Sequence, residues 1–152
     1  MKCVSAKQPP KYDLRRNGSD CLIIFADNIQ VHTITPDEES EPEKEYSYER
    51  YELTVPFRDT LERDVSANPD EWLNMAKEQW YNKLDHEARK KRAELLIEAD
   101  GEATIDRIIQ KYGIADIDEI PSLPISIYKQ ALRDIPQQPG YPENISWPTK
   151  PF

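Results

Sequence analysis

The chain reads as an α+β protein: a small antiparallel β-hairpin or sheet near the N-terminus, then a long helix, shorter helices and an extended proline-rich C-terminal tail. Three observations predict it. Between Cys21 and Val55, β-branched and aromatic residues come in runs and in alternation of period two. From Asn68 onward the apolar residues step by three and four, the period of a helix face. After Ile135, prolines recur at 136, 139, 142, 148 and 151; proline neither donates to a ladder nor continues a helix.

The 152 residues are enough for one small domain with extended arms. Residues 1–19 read as a flexible arm, 20–120 as the α+β body, and 121–152 as a C-terminal helix and tail. With 38% hydrophobic and 32% charged residues, the core is expected to be modest. A net charge of −9 argues against a nucleic-acid partner, since phosphate contacts need clustered cations. Apolar runs fall well short of the ~18 residues of a membrane span, so no membrane is expected as a partner either. The first residues, MKCVSAKQPPKYD, lack the apolar centre of a secretory signal. Cys3 and Cys21 form neither a metal-site spacing nor a disulfide framework, which fits a reduced cytoplasm.

Taken in order, Pro9-Pro10 and Asn17-Gly18 break the arm and turn it. Cys21 to Phe25 and Ile29 to Thr33 are β-like, with Asp27-Asn28 between them as a bulge in one long strand. Seven acids crowd 37–49 against Lys44 alone, with Pro36 and Pro42 interleaved, so this stretch reads as an exposed loop. It lacks the ordered spacing and central glycine of a calcium loop. Tyr46 to Val55 pairs back on the first strand, with Tyr46, Tyr48 and Tyr51 as an aromatic cluster and Pro56 as terminator. Surrounding glutamates would repel phosphate, so these rings serve sheet packing or a protein contact.

Arg58 to Val65 reads as a short helix with Leu61 and Val65 inward. Asn68 caps the next helix, Pro69 suits its first position, and Asp70 and Glu71 favour its positive end. Leu73, Ala76, Trp80, Leu84 and Ala88 form its apolar stripe, widened by Trp72 and Met75. The basic block Arg89–Arg92 is a solvated face pairing with acids such as Asp85, or a docking patch for an acidic partner. Gly101 offers a left-handed stop, and a break near the charged block would shorten so long a helix. Glu102 to Tyr112 is a further helix, with Ile105, Ile108, Ile109 and Tyr112 apolar and Gly113 beyond its end. Pro124 opens the last helix, whose Tyr128, Ala131, Leu132 and Ile135 share one face until Pro136 ends it.

Catalytic wording is missing. His32 and His86 have no ligand-like neighbours, the four glycines are isolated, and no Ser or Cys nucleophile motif occurs. A non-enzyme without cofactor or metal is expected.

The tail carries the most distinctive wording. Tyr128-x-x-x-Leu132-Arg133-Asp134-Ile135-Pro136-Gln137-Gln138-Pro139-Gly140-Tyr141-Pro142, closed by Ile145-Ser146-Trp147-Pro148-Thr149-Lys150-Pro151, resembles the C-terminal signature of phage tail assembly chaperone and tail-fibre-assembly-like proteins. The pattern Arg92-x-x-Leu95-Leu96-x-x-x-Asp100 is similar to the segment preceding that signature. The resemblance implies a tail or tail-fibre assembly chaperone, working in the cytoplasm of an infected bacterium or remaining in the virion tail. Its partner would be a phage tail or tail-fibre protein, with homo-oligomers left open. Tyr128, Leu132, Arg133, Asp134, Tyr141 and Trp147 are the candidate partner-binding residues, with 140–152 the part best placed to reach out. Two other readings stand beside it: a structural virion subunit at a fibre or baseplate, and a small acidic protein inhibiting a host factor.

Overall fold

The computed structural model describes residues 1–34, 43–113 and 117–152. It divides into two compact units, Met1–Trp80 and Tyr81–Phe152. The expected α+β class is what is found: a four-stranded antiparallel sheet followed by a long helix and shorter ones.

In the first unit, β1 (Lys2–Ser5), β2 (Tyr12–Asn17), β3 (Asp20–Ile34) and β4 (Glu43–Pro56) lie in the order β1-β4-β3-β2. The stretch expected as a loose arm thus supplies both edge strands. Gly18, at φ +64°, makes the tight turn from β2 to β3 that an L-residue adopts only with strain. β3 and β4 pair through Cys21↔Val55, Ile23↔Leu53 and Phe25↔Tyr51, and β2 adds Leu14↔Ile23 and Tyr12↔Phe25. Alternation along each strand collects these side chains on one face. There Cys21, Ile23, Phe25, Tyr51 and Leu53 are buried with Leu61, Val65 and Ala76. Leu61 and Val65 come from α1 (Leu61–Ala67) and Ala76 from α2 (Pro69–Glu102), which begins at the proline as expected. Trp80 meets Tyr51 edge-on at 5.6 Å.

The expected bulge is present: the β3–β4 register shifts between Asp27 and Gln30, and Asn28 has φ +50°. Asp27 pairs with Lys77 beside it. Three details differ from the sequence reading. Of the expected acidic loop, residues 37–42 lie outside the described residues, while Glu43 to Glu49 belong to β4, which runs on to pair with Ile34. Charged residues are tolerated there because the end of the ribbon is exposed to water. The three tyrosines do not cluster, because period two sends Tyr46 and Tyr48 to the face opposite Tyr51. Met75, expected to widen the buried stripe, is exposed.

The second unit holds the end of α2, α3 (Ile105–Tyr112), a 3-10 segment (Ile117–Ser122), α4 (Pro124–Asp134) and a 3-10 turn (Ile135–Gln137). α2 continues through the charged block and past Gly101, so neither the break nor the glycine stop occurs; Gly101 keeps an ordinary negative φ. The left-handed cap falls instead at Gly113, φ +63°, whose N–H donates to the Ile109 carbonyl. The core gathers Ala99, Ile108, Leu123, Ile125, Tyr128, Leu132 and Ile135.

Candidate functional site

The C-terminal tail is held within the second unit by contacts that begin at α4. Ile125, Tyr128, Leu132 and Ile135 fall on one helical face, and all four are buried. Pro124 sits in the first turn, where a missing N–H costs nothing. After Ile135 the chain cannot continue as helix, and Gln138 takes over its organisation. Its amide Nε2 donates to the Ser146 carbonyl at 2.9 Å, and the Ser146 N–H donates back to its Oε1 at 2.9 Å. Within this closed loop the Asn144 N–H donates to the Gly140 carbonyl at 2.8 Å. Gly140 has φ +85°, and a Cβ there would stand 3.3 Å from that of Asn144.

Three side chains then fasten the tail to α2. The Tyr141 hydroxyl donates to the Asp85 carboxylate at 2.6 Å, and Arg89 holds the other oxygen at 2.8 Å. The Lys91 ammonium stands 4.3 Å from the centre of the Trp147 ring, in cation–π range. Lys150 reaches both carboxylate oxygens of Glu98, at 2.6 and 2.7 Å. At the tip, Phe152 meets Tyr128 edge-on at 5.9 Å. The Tyr141 hydroxyl, then Arg89, hold the Asp85 carboxyl below its ordinary range. Burial, then the hydrogen bond to Asp85 and its charge, raise Tyr141. Burial likewise raises Tyr128, whose hydroxyl has no hydrogen-bond partner among the described residues.

The six residues singled out by sequence therefore occupy three kinds of place. Tyr128 and Leu132, 3% and 0% exposed, are inside the core. Tyr141 and Trp147 are half-buried at the core's edge, engaged with Asp85 and Lys91. Arg133 and Asp134 stand exposed at the end of α4, where the Gln130 amide donates to Asp134 at 2.9 Å. In the basic block Lys91 contacts the tail through Trp147 and Arg89 bonds the carboxylate that receives Tyr141, while Arg89, Lys90 and Lys91 are all exposed. Sequence reasoning placed Asp85 with Arg89, one helical turn apart, but missed Asp85 and Glu98 as anchors for Tyr141 and Lys150. No periodicity links residues more than fifty positions apart.

Further apolar side chains of the second unit are exposed. Ile105 and Ile109, one turn apart on α3, are 65% and 50% exposed, although the sequence reading counted both with the apolar face of that helix. Ile108 and Tyr112 supply the packed side instead. Ile97 on α2 and Ile127 on α4 are also exposed. Among the described residues no three His, Cys, Asp or Glu gather to hold a metal ion. No helix among them is long and apolar enough to cross a membrane.

Compared with known proteins, residues 85–152 match the family described as phage tail assembly chaperone protein. No curated protein and no solved structure matches the chain. The match opens at Asp85, the acceptor of the Tyr141 hydroxyl, and covers every anchor of the tail. From Asp85 to Phe152 the chain thus carries the phage tail assembly chaperone pattern that its C-terminal wording resembles.

Proposed function

We propose that the protein is a phage tail or tail-fibre assembly chaperone that binds a structural protein of the tail and keeps it competent to assemble. The family match over residues 85–152 carries this reading. The surface chemistry supports it. Most exposed apolar residues of a small protein stand singly, whereas Ile105 and Ile109 present a paired apolar step on one helix. Arg133 and Asp134, exposed at the end of α4, supply hydrogen-bonding groups that fix the orientation of a partner. Tyr128, Leu132, Tyr141 and Trp147 hold the surface in shape from within. Such work asks for a surface rather than a reacting centre, and it takes place in the cytoplasm of the infected host.

Coexpression with the tail or fibre protein tests the reading. Soluble, assembled client is expected to rise with this protein present; a client equally soluble and equally assembled in its absence refutes the proposal.

A further inference from the structure

β3 is fifteen residues long, and its outer neighbour β2 covers only the first part of it. The last pair is Tyr12↔Phe25, extended by one bond from the Ala26 N–H to the Lys11 carbonyl at 3.0 Å. Beyond it Pro9 and Pro10 lie over Ile24, Ala26, Tyr48 and Arg50 on the outer face of the sheet, so the chain leaves the edge. From Asn28 to Ile34, β3 has β4 on one side and, among the described residues, no strand on the other.

Natural sheets blunt such edges with proline, lysine, a β-bulge or a covering element. Here the bulge at Asp27–Gln30 precedes the edge, and from Gln30 to Ile34 no strand among the described residues covers it. Asn28-Ile29-Gln30-Val31-His32-Thr33-Ile34 contains no proline and no lysine, and is rich in β-branched residues. Val31 and Ile34 are 58% and 40% exposed.

Charge selects the occupant. Alternation places Glu43 and Glu45 on one face of β4, and the register sets His32 opposite Glu45 and Ile34 opposite Glu43; Glu49 on the same face is already engaged by the Asn28 amide and the Tyr51 hydroxyl. Lys44 belongs to the other face, with Tyr46 and Val31. A strand added beside β3 would lie about 10 Å from β4, two strand spacings. Lysine and arginine arms on its near face reach the glutamates across that gap, while apolar side chains on its other face cover Val31.

We propose that the outer edge of β3 from Gln30 to Ile34 is a strand-addition site for an extended cationic segment of another protein, with lysine or arginine alternating with β-branched residues. It lies outside residues 85–152 and does not depend on the chaperone reading.

The test uses the full chain and an eight-residue peptide alternating lysine and valine, with a glutamate–valine peptide as control. Amide exchange by NMR should slow at the alternate amides between Gln30 and Ile34 that face away from β4, with the lysine peptide alone. Glu43→Gln with Glu45→Gln should weaken binding about fivefold, the scale of two exposed ion pairs. If that variant does not fold, raising ionic strength from about 0.05 to 0.5 M on the unmodified protein reads the same dependence. No protection at 30–34, equal binding of both peptides, or salt-insensitive binding overturns the proposal. So does a dimer already protecting this edge, which would make a second copy the occupant.

Discussion

Leu132 is fully buried among Tyr128, Ile135 and the rest of the second core. Leu132→Ala removes its buried methyl groups and leaves a cavity, and should cost about 2–5 kcal/mol in urea unfolding. Asp85 makes a subtler case. Its carboxyl is held below the ordinary value by the Tyr141 hydroxyl first and Arg89 second. A depressed folded pKa contributes stability that is present above the unfolded value and lost as pH falls through the folded one. Tyr141 has the opposite sign: its raised pKa gives stability present below the ordinary phenol value of 10.0 and lost as pH rises through the folded one. The Tyr141–Asp85 contact is therefore weakened at both ends of the pH scale. In Tyr141→Phe, the Asp85 titration followed by NMR should move up toward its ordinary 3.8 and stop short of it, because Arg89 remains. An unmoved Asp85 would remove Tyr141 from its causes.

At the scale of elements, glycines divide by backbone rather than by space. Gly140 has φ +85° and Asn144 close by, so Gly140→Ala should destabilise by about 1–2 kcal/mol. Gly101 lies near the end of α2 with ordinary φ and open surroundings, so Gly101→Ala should stabilise by about 0.5–1 kcal/mol. Thermal unfolding of the two variants checks both signs. The same distinction explains what could be read in advance. Gly113 closing α3, Pro69 and Pro124 opening their helices, and the Asp27–Gln30 bulge were legible because each depends on neighbours in sequence. Glycine at 101 offered the same local signal as glycine at 113, yet α2 runs through it. The burial of Ile108 in place of Ile105 and Ile109 was equally beyond a local reading, since tertiary packing chooses which part of a wide apolar face turns inward. The tail's anchors depended on partners more than fifty residues away, where period and propensity have no reach.

On the scale of the whole molecule, the two units carry different kinds of information. The family pattern covers residues 85–152, and the sheet lies outside it. The chaperone reading predicts a separation of stability from activity within the second unit. Replacing the exposed Ile105 and Ile109 together by serine should change stability by less than about 1 kcal/mol, as exposed sites do. Yield of soluble client in coexpression should nevertheless fall severalfold. Loss of fold would assign the pair to packing, and an unchanged yield would take it out of the client surface.

The bond from Tyr141 to Asp85 spans 56 positions of the chain. At roughly 5–20 residues per second, translation delivers Tyr141 about three to eleven seconds after Asp85. Over that interval the α2 residues that will receive the tail are made without it. Nascent protein that includes Glu98 but not yet Tyr141 would leave Asp85, Lys91 and Glu98 without the tail; once residues 141–150 are made they are engaged by Tyr141, Trp147 and Lys150. A later stretch of the chain is thus also the cover for a much earlier one, so this face of α2 takes its form only once residues 141–150 have been made.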